Sequence, residues 1–254
     1  MTPALKATSA KKRLDAILIE RGLADSVQAA QAMILAGEVQ VDSVLSTKAG
    51  TRIAHTARIE VRSRHEKFAG RAGAKLEGAL ADFAIDSTGF TCLDVGASTG
   101  GFTDCLLQRG AARVYALDVN VSQLDWKLRQ NRRVVPVECN ARRLRHADIP
   151  EPVDLVTVDV SFISAAKVLA PAAACAKPGA HFLILVKPQF ELPSKNVGRG
   201  GIVKDETLHR QAIADVTSTA RRAGLEILGV RPSKLPGAGG NQEYFLHARK
   251  NAIE

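Results

Sequence analysis

The chain has 254 residues, 46% of them hydrophobic, with 35 Lys and Arg against 26 Asp and Glu for a formal net charge of +9. That length is too great for one small domain and too short for three, so one large and one small domain are expected. The charge favours a polyanionic partner such as RNA over an acidic small molecule, the alternative being a basic surface that only keeps the protein soluble.

The four cysteines, Cys92, Cys105, Cys139 and Cys175, form no C-x-x-C pair and read as reduced core thiols of a cytoplasmic protein. Residues 1–12 lack the apolar core of a signal peptide. The longest buried-looking run, residues 182–186, is far below the ~20 residues a membrane helix needs, so no membrane insertion is expected.

Residues 1–10 are small and polar and read as a disordered tail. Over 11–61 Leu14, Ile17 and Leu18 keep helical spacing, Gly22 stops that helix, and Ser26 caps a second one that Gly37 ends. Short strands follow at 39–41, 52–53 and 59–61, with a turn at Asp42-Ser43. A helix hairpin followed by a small sheet is predicted. Arg13, Arg21 and Lys48 are its candidate phosphate contacts, although charged residues on so small a domain face water in any case. The polar run 62–67 reads as a linker, and 68–254 as the larger domain, opening on a helix over 74–83 with Arg71 and Lys75 near its start.

The larger domain is organised around the run from Leu93 to Phe102. Thr91 to Val95 reads as a buried strand, and Gly96, Ala97, Ser98, Thr99, Gly100 and Gly101 force a tight turn into a helix at 102–109. Glycines admit a ligand close to the backbone, and a dinucleotide or S-adenosylmethionine are the candidates. The spacing Gly96, Gly100, Gly101 fits the dinucleotide fingerprint poorly, and Asp94 suits the ammonium of a sulfonium amino acid better than a pyrophosphate. The next strand, 112–118, ends on Asp118, positioned for ribose hydroxyls or as a cap for a helix over 122–128.

A third strand at 134–137 brings Asn140 beside the expected adenine. The arginines between 129 and 145 form either a continued RNA face or a solvated one. Further strands at 154–159 and 181–187 end on Asp159 and Lys187, with a helix over 161–175 between them. Residues 188–204 read as a mobile loop carrying Arg199 and Lys204, which are offered to RNA. A helix over 205–223 and strands at 225–230 and 243–248 complete the chain, with Glu243 opening the last. Ligands of an open α/β sheet sit beyond the carboxyl ends of its strands, so Asp94, Asp118, Asp159 and Lys187 should face one crevice.

Two motif sets carry a resemblance. Arg13-Leu14-Asp15, Glu20-Arg21-Gly22-Leu23-Ala24 and Ile34-Leu35-Ala36-Gly37-Glu38-Val39-Gln40-Val41 resemble the S4 RNA-binding domain, with Ser43 departing from its usual Gly. Arg71-Ala72-Gly73-Ala74-Lys75, Asp94 to Asp104, Asp159-Val160-Ser161-Phe162-Ile163-Ser164, Lys187-Pro188-Gln189-Phe190-Glu191 and Asn241-Gln242-Glu243-Tyr244-Phe245 resemble the ribose 2′-O-methyltransferases with a Lys-Asp-Lys-Glu tetrad. The closer likeness is to the hemolysin-A (TlyA) ribosomal RNA methyltransferases.

The resemblance implies an α/β fold, a Rossmann-like S-adenosylmethionine-dependent methyltransferase domain behind a small α+β S4 domain. It maps the tetrad onto Lys75, Asp159, Lys187 and Glu243 and makes the substrate a cytidine ribose in small-subunit, large-subunit or both ribosomal RNAs. Methyl displacement mainly requires alignment, with Lys187 orienting the hydroxyl and either taking its proton or stabilising developing charge. The expected partner is ribosomal RNA or a ribosomal subunit, the expected state a monomer, and no metal is required. The competing readings are a non-catalytic assembly factor with a vestigial cofactor pocket, a membrane-lytic hemolysin, and an S4-bearing pseudouridine synthase, which would not need the glycine corner.

Overall fold

The computed structural model describes residues 11–24, 26–35, 37–42, 44–46, 48–61 and 67–252. The expected tail at 1–10, most of the expected linker (62–66) and the departure at Ser43 lie outside them. The chain divides into two units, Met1–Glu66 and Lys67–Glu254.

The first unit runs β1 (Lys11–Arg13), α1 (Leu14–Glu20), α2 (Val27–Leu35), β2 (Val39–Val41), β3 (Val44–Ser46), β4 (Arg52–Ala54) and β5 (Ile59–Val61). Gly22 ends α1 with a φ of +67°, a conformation glycine adopts without a Cβ penalty, and lets the Leu23 amide reach back to the Leu18 carbonyl at 2.8 Å. Ser26 Oγ accepts the Ala29 amide at 3.1 Å and starts α2. Leu14, Ile17, Leu18, Ala30, Met33, Ile34 and Val39 form its core. β2 lies between β3 and β5, while β1 pairs separately with β4. Strands β1 and β3 escaped the sequence reading because Lys11–Arg13 holds no apolar residue and Val44 and Leu45 are adjacent rather than alternating.

The second unit runs α3 (Ala72–Asp82), β6 (Thr91–Val95), α4 (Gly101–Gln108), β7 (Arg113–Asp118), α5 (Trp126–Arg129), β8 (Val134–Glu138), β9 (Val153–Val158), α6 (Leu169–Ala174), β10 (Ala176–Val186), α7 (Pro188–Glu191), α8 (Glu206–Arg222), β11 (Leu225–Pro232) and β12 (Tyr244–Lys250). Its seven strands lie in the order β11-β12-β10-β9-β6-β7-β8. β6 pairs in parallel with β7 and β9, and β12 runs antiparallel to β10 and β11. Alternate residues of each strand face opposite layers. Leu93, Val95, Tyr115, Leu117, Val156 and Val158 meet Leu169, Ala172, Ala212 and Val216 on one side. Cys92, Val114, Ala116 and Leu155 meet Leu76, Leu80, Phe102 and Leu106 on the other.

Three stretches differ from the sequence reading. The helix expected over 122–128 is broken into a short turn at Val121–Gln123 and α5, because Leu124 is extended and Asp125 restarts the helix by accepting the Lys127 amide. The helix expected over 161–175 begins only at the 3-10 turn Ala165–Val168, since Ser164 and the Ala165 amide are held by Glu191 at the preceding loop. Residues 188–204, read as loop, contain α7 and short turns at Ser194–Asn196 and Arg199–Gly201.

Candidate active site

The bend after β6 is folded onto the end of β7. The amides of Gly96 and Ala97 donate to the Leu117 carbonyl at 2.8 and 3.0 Å, and the Ser98 amide donates to the Asp118 carboxylate at 2.9 Å. Gly96 has a φ of +91°, and a Cβ there would stand 2.6 Å from the Asp159 carbonyl oxygen. Only glycine lets β6 and the end of β9 approach so closely. A Cβ on Gly73 would likewise meet the Gly101 carbonyl oxygen at 2.6 Å, so the first turns of α3 and α4 touch backbone to backbone. That contact carries Lys75, one turn along α3, towards the strand ends.

Beside the bend opens a cleft of about 460 Å³ lined by Gly96, Ser98, Asp118, Asn140, Asp159 and Phe162, among others. Asp118 and Asn140 therefore border one cavity. The alternative for Asp118, capping the next helix, falls instead to Asn120, whose Oδ1 accepts the Ser122 amide at 3.1 Å. Asn140 also accepts the Arg142 amide at 3.1 Å. Val160, Phe162 and Ile163 line this cleft and Ser161 both hollows, yet none was singled out from sequence. Their only signal was membership of the Asp159-to-Ser164 motif.

A smaller hollow of about 150 Å³ is lined by Ala97, Thr99, Gly101, Phe102 and Lys187, and shares Gly96, Ser98, Asp159 and Ser161 with the cleft. The two cavities meet at Asp159. Gly100 lies outside both linings and serves as the left-handed residue, φ +94°, from which α4 starts.

Asp94 does not face this space. Its side chain is wholly buried, with Oδ2 accepting from Thr103 Oγ1 at 2.7 Å and Oδ1 from Thr157 Oγ1 at 3.0 Å. Burial pushes its carboxyl up to about 7 against the opposing pull of the two hydroxyls. The ammonium contact expected of Asp94 is corrected accordingly: both oxygens are spent on tying β6 to α4 and β9.

The four tetrad residues form two ion pairs. Lys187 follows β10 and places Nζ 2.6 Å from Asp159 Oδ1 and 2.9 Å from Ser161 Oγ. Lys75 Nζ lies 2.6 Å from Glu243 Oε2. Side-chain exposure is 12% and 2% for Lys75 and Glu243, and 10% and 15% for Lys187 and Asp159, so both pairs are largely desolvated. Such pairs are weak evidence of stability, because desolvation offsets much of their attraction. Val186 pairs with Tyr244, so Lys187 and Glu243 are next in register at the end of adjacent strands. The Asp159 amide donates to the Val95 carbonyl at 2.9 Å, which sets its carboxylate beside the bend. Asp159 Oδ1 is buried against the Lys187 ammonium.

The glycine cradle and the cleft bordered by Asp118, Asn140 and Asp159 fit S-adenosylmethionine. Asp118 and Asn140 would hold its ribose and adenine in the larger cleft, and Asp159 would meet its reactive end in the smaller one. Among the described residues no group of three or more His, Cys, Asp or Glu side chains could hold a metal ion, and no helix is long and apolar enough to cross a membrane.

The candidate RNA contacts are dispersed in character. Arg13 is committed to Asp15 through bonds of 3.0 and 2.6 Å, and its guanidinium holds that buried carboxyl down to about 2. Arg21 donates to the carbonyls of Ala57, at 3.0 Å, and His55. Both therefore stabilise the first unit. Lys48, Arg71, Arg199 and Lys204 are exposed and make no ion pair among the described residues.

A sheet of six parallel strands and parallel-breaking β12, with a glycine bend after its central strand and a carboxylate after the next, defines a Rossmann-like methyltransferase. A family model, FtsJ-like methyltransferase, matches residues 68–250. The chain belongs to that family, and within it to the hemolysin-A (TlyA) group. It is 46% identical over 241 residues to the 16S/23S rRNA (cytidine-2′-O)-methyltransferase TlyA of Mycobacterium tuberculosis, covering 94% of this chain and 90% of that one. It is 41% identical to Hemolysin A of Brachyspira hyodysenteriae, covering 92% and 98%. Among solved structures, a candidate hemolysin of Streptococcus thermophilus superposes with a TM-score of 0.73 at 34% identity, covering 96% of this chain and 90% of that one.

Proposed function

We propose that the protein transfers a methyl group from S-adenosylmethionine to the 2′-hydroxyl of a cytidine in ribosomal RNA, of the small subunit, the large subunit or both, in the cytoplasm. The observation that carries this reading is the desolvated Lys187–Asp159 pair, 2.6 Å apart, at the junction of the two cavities. The name of the Mycobacterium tuberculosis relative supports the nucleoside and the two RNAs. Residues 11–61 are proposed as an S4-like RNA-binding domain and 68–254 as the methyltransferase domain, with Lys48, Arg71, Arg199 and Lys204 as exposed phosphate contacts.

The cofactor supplies an electrophilic methyl carbon on a sulfonium. Lys187 orients the ribose hydroxyl, Asp159 fixes Lys187, and Glu243 fixes Lys75 as the second cation. Asp118, Asn140 and Asp159 would hold the donor, whose methyl group would pass to the hydroxyl oxygen that Lys187 orients, with the hydroxyl proton released through the Lys187–Asp159 pair to solvent. Alignment supplies much of the acceleration, and preorganised charge stabilises the oxygen as it loses its proton.

The test is transfer of labelled methyl from S-adenosylmethionine to ribosomal subunits from a strain lacking the protein, followed by nucleoside mass spectrometry. Wild-type protein should yield 2′-O-methylcytidine, and Lys187→Met should lower the rate by about 10²-fold or more while calorimetry still registers cofactor binding. A wild-type protein that binds subunits but leaves every ribose unmethylated would establish an assembly factor instead.

A further inference from the structure

Residues 160–163 wall the cofactor cleft, and Ser161 lines the smaller hollow as well. Resting on the proposed reaction, we infer that Glu191 is a positioning residue for it. Its carboxylate fixes the far end of this loop, so that one short helix, α7, holds the cleft wall and Lys187 in a single register.

The first observation is that α7 grips the loop at both ends. At its start, Lys187 Nζ lies 2.6 Å from Asp159 Oδ1 and 2.9 Å from Ser161 Oγ. At its end, Glu191 Oε1 accepts the Ala165 amide at 2.8 Å and Oε2 accepts the Ser164 hydroxyl at 2.5 Å. The two grips are joined to each other, because the amides of Phe190 and Glu191 donate to the Lys187 carbonyl at 2.8 and 3.3 Å. Buried Pro188, at the first helical position, fixes the turn between them.

The second is that the loop needs an outside hold. Phe162 has a φ of +65°, a left-handed conformation that is unfavourable for a residue with a Cβ and persists only where its surroundings impose it. Phe162 is 89% exposed, its ring tilted against Phe190 at 5.3 Å between centroids, so the core restrains it little. The hydrogen bonds at Ser161, Ser164 and Ala165 supply the restraint.

The third is the chemistry of the group. An ionised carboxylate offers only acceptors, and here one oxygen meets an amide and the other a hydroxyl. The Ser164 hydroxyl donates to Glu191 while its oxygen accepts the Ala166 amide at 3.1 Å, so the same contact starts the 3-10 turn Ala165–Val168. Burial pushes the Glu191 carboxyl up, against the pull of the Ser164 hydroxyl and the Ala165 amide, as befits a group enclosed between loop and helix. With the carboxylate removed, the far end of the loop comes free, and the cleft wall shifts together with Ser161, a partner of Lys187. A shift of about 1 Å at reacting groups costs up to about 10²-fold in rate.

The test compares wild type, Glu191→Ala and Glu191→Gln on ribosomal subunits from a strain lacking the protein, below the thermal midpoint of each. Glu191→Ala should lower kcat by about tenfold to 10²-fold and weaken calorimetric affinity for S-adenosylmethionine by about threefold or more, with KM for subunits within about twofold of wild type. Glu191→Gln, which keeps an acceptor for the Ala165 amide, should recover most of both losses. A contact that serves stability alone would lower the thermal midpoint and leave kcat and affinity at wild-type values, and that result overturns the inference. A glutamine variant no better than the alanine one overturns it too. Glu191→Met, which fills the same space without an acceptor, replaces the alanine variant if that one does not fold. If neither folds, the glutamate determines the fold rather than the site, and the inference fails. A wild-type protein that methylates no ribose refutes the proposed reaction instead, and the calorimetric comparison still decides whether Glu191 holds the cleft wall.

Discussion

At the scale of single residues, the roles of the acids are set by what surrounds each one. Asp159 and Asp94 both end or approach the end of central strands, yet Asp159 faces a lysine across 2.6 Å at the cavity junction and Asp94 faces two threonine hydroxyls in the core. Asp159→Asn should lower methyl transfer by about 10²-fold or more, as expected where a charged partner orients the reacting group; near-normal turnover would show that Ser161 alone suffices to hold Lys187. Asp94 carries the opposite signature. Its folded-state value of about 7 lies above the unfolded carboxyl at about 3.9, so the folded protein retains a proton that the unfolded chain has lost. Stability from this group is therefore greatest at low pH, falls as pH rises through the window from about 4 to 7, and is level above it, a loss of up to roughly 4 kcal/mol. Asp94→Asn removes that dependence while leaving each threonine a partner. Its midpoint of urea unfolding, relative to wild type, should rise more at pH 8 than at pH 5, and an equal gap at both would mean that the carboxylate ionises without penalty.

At the scale of elements, the close approaches decide the site. A methyl group on Gly96 would sit 2.6 Å from the Asp159 carbonyl and impose a φ of +91° on a residue with a Cβ. Gly96→Ala should lower stability by about 1–3 kcal/mol and weaken cofactor binding at least tenfold by displacing Asp159, which calorimetry and thermal melting would measure separately. The β10–β12 ladder holds a second titrating pair, His181 Nδ1 and His247 Nε2, 3.0 Å apart. Burial, then the charges of His181 and Arg249, lower His247 to about 4. The folded ladder thus stays neutral where the unfolded histidine, near 6.5, takes a proton. Its stability is complete above about pH 6.5 and declines as pH falls towards 4, by roughly 2 kcal/mol at pH 5. His247→Leu should shrink the difference in urea midpoint between pH 7 and pH 5; an unchanged difference would place the acid sensitivity elsewhere.

At the scale of the whole molecule, the charge of +9 and the division into two units bear on RNA rather than on cofactor chemistry. Removing Met1–Glu66 should leave calorimetric binding of S-adenosylmethionine intact and raise the apparent KM for ribosomal subunits by about tenfold or more. Raising salt from about 50 to about 200 mM should likewise lower kcat/KM for RNA steeply, because phosphate contacts release counterions. A truncated protein with unaltered KM would show that the second unit carries the recognition by itself.

The local chemistry of the sequence determined much of this protein. Largely apolar runs of four to seven residues marked the strands of the second unit, three of them closing on Asp118, Asp159 or Lys187, and Gly22, Gly37 and Ser26 marked helix ends, because glycine and side-chain caps act over a few residues. Those same runs put Asp118, Asp159 and Lys187 at strand ends, from which one crevice could be anticipated. What only the tertiary structure decided is which of these groups are turned towards it. The burial of Asp94 between Thr103 and Thr157, the donation of Arg21 to the Ala57 and His55 carbonyls, and the loop at Ser161–Ser164 held by Glu191 all depend on partners distant in sequence. Periodicity reports the face a residue occupies, whereas the partner waiting on that face is supplied by another part of the chain.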